Sequence, residues 1–126
     1  MVKFRAWHKT WEEMGKVKRI RFDDEGNITT VLVKGQAFGS NVHLEEIELM
    51  QSTGLKDKNG KEVFEGDILA SETYPVNGAV EYRAKLGMWV NCLKEYSYYE
   101  YLGNVASDRK IIGNIYENPE FLEVEE

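Results

Sequence analysis

The chain has one cysteine, two prolines and two histidines in 126 residues. A lone Cys92 excludes an internal disulfide and a cysteine-based zinc site, and it suits a reducing compartment. No stretch approaches the ~20 apolar residues of a membrane span. Residues 1–20 carry Lys3, Arg5, Lys9, Lys16, Lys18 and Arg19 with no apolar core of signal-peptide length, so a cytoplasmic protein without membrane contact is expected. The length leaves no room for a second full enzyme domain. What is present is a foldable composition, with 42% hydrophobic and 30% charged residues. Acidic residues outnumber basic ones 22 to 16, a formal charge of -6. Such a balance repels phosphate backbones unless the basic residues are strongly segregated.

Two turn signals punctuate the first half, Asp23-Asp24-Glu25-Gly26-Asn27 and Asp57-Lys58-Asn59-Gly60. Each lies between segments that read as strands. Asn59-Gly60 suits a tight type I′ turn, which sets Gly54-Leu55-Lys56 against Glu62-Val63-Phe64. Around the first signal, Val17, Ile20 and Phe22 lead in and Ile28, Val31 and Val33 lead out, an imperfect alternation for a half-buried antiparallel pair. Phe4-Arg5-Ala6-Trp7 reads as a short strand. Leu44 to Met50 fits both a helical stripe and strand alternation, as a short helical turn passing into a strand would.

The second half carries five short strand signals: Asp67–Ala70, Ala79–Tyr82, Met88–Leu93, Tyr96–Leu102 and Ile111–Tyr116. Their spacing of roughly ten residues is the pattern of a small barrel or sandwich, and an SH3-like barrel is the first choice. Asn118-Pro119 can start a single helical turn, and the acidic end at Glu123, Glu125 and Glu126 reads as solvated. The expected architecture is mainly β with few or no long helices: a hairpin-rich N-terminal subdomain over 1–65 and an SH3-like barrel over 66–126. Residues 35–40 read as a loose connection.

No catalytic, cofactor or metal motif is complete. As a calcium loop starting at Asp57, the sequence puts Lys61 fifth, Glu62 in the glycine position and Ile68 where a bidentate Glu is needed. As a phosphate loop starting at Gly54, it has Asn59 in place of the second glycine. Cys92 with His8 or His43 would make a nucleophile and base, but Cys92 shares a strand face with Met88 and Val90 and reads as a buried structural thiol. The many carboxylates include no pair that the sequence can single out as acid and base.

The run from Glu48 to Leu69, ELMQSTGLKDKNGKEVFEGDIL, resembles the central signature of the YopX family of phage and prophage proteins. Lys3-Phe4-Arg5-Ala6-Trp7 is similar to that family's opening, and Ile112 to Leu122 to its close. His8 replaces a common Asp and Ser52 a common aromatic, so neither position is a required catalytic group. The resemblance implies a mostly β, phage- or prophage-encoded protein with an SH3-like portion, and it brings no catalytic residue. Gly54, Gly60 and Gly66 suit turns, and Asp57 and Asp67 suit bonds to turn amides. A functional reading of the same loop makes Lys56, Asp57, Lys61 and Glu65 a polar recognition site.

Aromatic density is the other feature of the C-terminal half. Alternation puts Tyr96, Tyr98 and Leu102 on one face and Tyr99 and Tyr101 on the other, so one tyrosine face points outward unless the rings cap a thin core. Exposed tyrosines can stack bases, grip a peptide or form a subunit interface. Glu95 and Glu100 flank them with only Lys94 in opposition, which favours a protein contact. The expectation is a noncatalytic interaction module whose partner is a host or phage protein or a second copy. The alternative is a nucleic-acid binder using Lys3, Arg5, Lys16, Lys18, Arg19 and Arg21, and a weaker third reading is an acidic decoy for a host nucleic-acid-binding protein.

Overall fold

The computed structural model describes residues 3–35, 39–73 and 75–123. The middle of the expected 35–40 connection and the tail residues Glu125 and Glu126 lie outside them. The chain divides into two units, Met1–Gln51 and Ser52–Glu126. The division precedes the 65/66 boundary expected from sequence, because the Asn59-Gly60 hairpin is bonded to strands of the second unit.

The first unit is an antiparallel meander of β1 (Phe4–His8), β2 (Glu13–Phe22), β3 (Ile28–Lys34) and β4 (Gly39–His43), after which the start of β5 (Ile47–Lys56) returns to the other edge beside β1, in the order β4-β3-β2-β1-β5. The single turn Leu44–Glu46 runs into β5, so the ambiguous segment is helical turn and then strand. Ala6, Val31, Val33, Val42 and Ile47 form the core, with Val17, Ile20, Ile28 and Leu49 packed against it.

A β-bulge explains the imperfect alternation of β2. Strict pairing would put Val17 and Ile20 on opposite faces. Lys18 is instead extra: Val17 pairs with Val33 and Arg19 with Leu32. The inserted residue resets the phase. Val17 and Ile20 both reach the core, and Lys16, Arg19 and Arg21 share the opposite face.

In the second unit the end of β5 pairs with β6 (Glu62–Phe64), with Lys56 opposite Glu62 and Ser52 opposite Phe64. A five-stranded antiparallel sheet follows, built from β7 (Asp67–Ser71), β8 (Gly78–Arg83), β9 (Met88–Leu93), β10 (Tyr98–Tyr101) and β11 (Arg109–Asn114) in the order β10-β9-β8-β7-β11. Helix α1 (Leu102–Val105) and the turn Ala106–Asp108 carry the chain from β10 to β11. Leu102, read as strand in the sequence, starts that helix. It joins Val63, Leu69, Val80 and Ala106 in a core flanked by Leu55, Trp89 and Ile111. The fold is mainly β, as expected, but among the described residues no hydrogen-bonded ladder closes the second sheet into a barrel.

The two hairpin turns are chemically the same. Gly26 donates its N–H to the Asp23 carbonyl, and Asp23 Oδ1 accepts from the N–H groups of Glu25 and Asn27. Gly60 likewise donates to the Asp57 carbonyl, and Asp57 Oδ1 accepts from Asn59 and Lys61. Gly26 (φ 85°) and Gly60 (φ 79°) occupy the left-handed region, whereas Asn59 does not. The second turn is therefore not the expected type I′, which needs two positive φ angles. Asp supplies the side-chain acceptor and Gly the fourth position of one shared five-residue turn.

Candidate interaction surfaces and polar clamp

The tyrosines meet the structure in different ways. Tyr96 closes the single turn Lys94–Tyr96, after which Ser97 in the left-handed region (φ 51°) redirects the chain into β10. Tyr99 opposes Cys92 and Tyr101 opposes Val90. The two rings share a face with centroids 6.0 Å apart, and the Arg83 guanidinium lies 5.3 Å from the Tyr99 centroid. Tyr98 points to the other side. Tyr96, Tyr98 and Tyr101 are 59%, 60% and 45% exposed, and Tyr99 is half-buried. These rings lie on and beside β10, which ends the sheet and among the described residues has a neighbouring strand only in β9. Tyr82 and Trp89 stack edge-to-face at 5.2 Å on the neighbouring strands.

Behind that strand lies a clamp that sequence reasoning missed. Arg109 Nη2 donates to Glu100 Oε2 at 2.6 Å, and Asn91 Nδ2 donates to Glu100 Oε1 at 3.1 Å. The Arg109 and Glu100 side chains are 9% and 13% exposed, so the pair is nearly dry. It joins the two edge strands, β10 and β11, where a barrel would have a ladder. Asn91 is buried against Gly78, where an added Cβ would lie 2.3 Å from Asn91 Oδ1. The only sequence signal was Glu100 itself, a carboxylate between tyrosines on a strand.

An open cleft of about 500 Å³ adjoins the clamp, with Lys58, Glu72, Glu100, Ser107, Asp108 and Arg109 among its lining residues. Lys58 is bonded to Glu72, which holds the Glu72 carboxyl below its ordinary value, and Arg109 is bonded to Glu100. Each cation lining the cleft already faces a carboxylate.

The expected recognition loop is divided by the fold. Lys56 and Lys61 are exposed and Glu65 is half-buried, but Asp57 is only 6% exposed. Its Oδ2 accepts the Ile111 N–H at 3.0 Å, and Lys58 donates its N–H to the Arg109 carbonyl at 2.9 Å, so the turn is bonded to β11. Burial would raise the Asp57 pKa, but the N–H groups of Ile111, Lys61 and Asn59 outweigh it and hold the carboxyl below its ordinary value. Asp67 Oδ2 accepts from the Phe64 N–H at 2.8 Å, as a strand-entry carboxylate should. In the closing segment, Asn114 Oδ1 accepts from the N–H groups of Tyr116 and Glu117.

Cys92 is buried in the second unit, with Arg83 Nη2 at 3.8 Å from its sulfur. His8, in the first unit, is 5% exposed and uses Nδ1 to accept the Trp11 N–H at 3.1 Å. Among the described residues no group of three or more His, Cys, Asp or Glu could hold a metal ion, and no helix is long and apolar enough to cross a membrane.

A family model described as YopX protein matches residues 3–123. The chain belongs to the YopX family. The crystal structure of protein EF1440 from Enterococcus faecalis is similar at 31% identity and a TM-score of 0.69, covering 98% of this chain and 99% of that one. The crystal structure of yopX from Bacillus subtilis has 20% identity and a TM-score of 0.61, over 96% of this chain and 98% of that one, a likeness of fold. No curated protein matches the chain. The three blocks read as YopX-like all have backbone duties: the opening is β1, the central run contains the Asp57 turn and the Asp67 strand entry, and the close holds the Asn114 turn.

Proposed function

We propose that this YopX-family chain is a phage- or prophage-encoded, noncatalytic interaction module of the bacterial cytoplasm, whose tyrosine-flanked edge strand docks on another protein chain, a second copy included. The observation that carries this reading is the exposure of Tyr96, Tyr98 and Tyr101 at β10, the last strand of its sheet. An edge strand offers backbone groups to an added strand, and rings on either side bury large apolar area at little entropic cost. The groups best suited to chemistry have structural occupations: Asp57 and Asp67 accept backbone N–H groups, Glu100 is held by Arg109 and Asn91, and Cys92 is buried.

The test is light scattering at high micromolar concentration, beside an affinity pull-down from nuclease-treated bacterial lysate. The wild type forms a dimer or retains a protein partner, and the Tyr98→Ser/Tyr101→Ser variant weakens that association at least about tenfold, as loss of exposed aromatic anchors does. A strict monomer that retains no partner overturns the reading.

A further inference from the structure

The net charge of -6 is not spread over the chain. Residues 1–51 hold eight Lys or Arg and eight Asp or Glu, a balance of zero, while residues 52–126 hold eight against fourteen and carry the whole deficit. Within the neutral first unit the signs are then separated. The Lys18 bulge turns Lys16, Arg19 and Arg21 to the face opposite the core. Register sets Arg5 beside Lys16 and Lys16 beside Lys34, three cations in one row across β1, β2 and β3. Asn41 and His43 of β4 continue the two neighbouring rows beyond Leu32 and Thr30. Lys16, Lys18, Arg19, Arg21 and Lys34 are exposed, and none has an acidic partner among the described residues. The acidic residues of the unit cluster in its turns or near strand ends, and Glu48, on this face, is paired with Lys9 at 3.4 Å.

Like charges placed directly opposite on neighbouring strands are destabilising. A sheet that keeps Lys16 opposite Lys34 bears that repulsion in the free protein, and a polyanion would relieve it. We infer that this face of the N-terminal sheet binds the phosphate backbone of duplex DNA without reading its sequence. The cations lie about 5 Å apart across strands and about 6–7 Å apart from Arg19 to Arg21, a spread suited to several phosphates at once. A single-stranded ligand is disfavoured because β2 and β3 present no aromatic ring on this face for bases to stack on, and Trp7 of β1, which shares the face, is half-buried. An anionic membrane is disfavoured because β2 and β3 add only half-buried Met14 and Leu32 as apolar contacts. This surface and partner are separate from the tyrosine edge, so either can fail alone.

The test is fluorescence anisotropy of a labelled duplex DNA titrated with the full chain across a salt series. Binding is expected to weaken with salt at a log–log slope of about -3 to -4, one unit per phosphate neutralised. Combining Lys16→Gln, Arg19→Gln and Arg21→Gln is expected to weaken binding about 10- to 100-fold at low salt and flatten the slope. A control with Lys85→Gln and Lys94→Gln, exposed cations of the second unit, is expected to bind like the wild type. Far-UV circular dichroism melts show that both variants fold. No binding at low salt, equal losses in the two variants, tighter binding of a single strand, or preferential binding of anionic phospholipid vesicles each overturns the inference.

Discussion

The two units solve the same problem, an antiparallel sheet with one face to bury, by different means. In the first, the core is aliphatic and His8 is the only buried polar or charged side chain among the described residues. In the second, Ser52, Asp57, Asp67, Asn91, Arg109 and Asn114 are all buried. Connectivity does not separate them: in each, a four-stranded meander is followed by a crossing from one edge to the other, through the turn Leu44–Glu46 in the first and through α1 in the second. What differs is the hairpin beside the second sheet, whose Asp57 supplies a side-chain acceptor to the Ile111 N–H of β11. Buried polar groups are tolerated only when bonded, so they make that unit the more fragile one.

The sharpest way to break the comparison is Arg109→Met. It strands the Glu100 carboxylate in a nearly dry site, and urea denaturation is expected to show a loss of about 3–5 kcal/mol. Adding Glu100→Leu removes the orphaned charge and should recover most of it. Next comes the pair of matched turns. Asp57→Ala deletes an acceptor of three backbone N–H groups inside the protein and should cost about 2–3 kcal/mol. The same change at Asp23, exposed at its hairpin tip, should cost only a small fraction of that. Equal costs would mean that the turn alone, and not its attachment to β11, sets the value of the aspartate.

Acid sharpens the contrast further. The folded Asp57 carboxyl titrates below its ordinary value of 3.8, so its stabilisation is complete above that pH and is lost as pH falls through the lowered folded value. Urea midpoints followed from about pH 5 to pH 2 should fall for the wild type and fall less for Asp57→Asn. The smallest effect belongs to the basic face: Lys16→Gln, Arg19→Gln and Arg21→Gln together should leave stability within about 0.5 kcal/mol or raise it slightly, as relief of like-charge crowding predicts.

Much of the fold was legible because its signals are local. Both hairpins, the strand at Phe4, the helical turn running into β5 and the turn at Pro119 follow from residues a few positions apart. β4 was missed because Gly39, Ser40, Asn41 and His43 leave Val42 as its single buried apolar side chain. Leu102 was read as strand because its role, filling the core at a helix start, depends on Val63, Leu69 and Val80. Tyr98 and Tyr101 are both exposed although they lie on opposite faces of β10, so alternation did not sort the rings into one outward and one inward face. The cationic cluster was visible as composition, but its concentration on one face required the bulge at Lys18, which no residue type announces.

By itself, then, the sequence determined the mainly β class, the family blocks and the Asp-x-x-Gly-x turns, since those depend on backbone chemistry within about five residues. The tertiary structure decided which of two identical turns holds a buried carboxylate. Asp23 and Asp57 make the same local bonds, and only Asp57 meets an N–H 54 residues further along the chain. It also decided that Glu100, flanked by tyrosines on an edge strand, faces Arg109 in a nearly dry site while Tyr98 and Tyr101 stay exposed. Burial and charge pairing arise from convergence of distant segments, and that convergence has no local period to read.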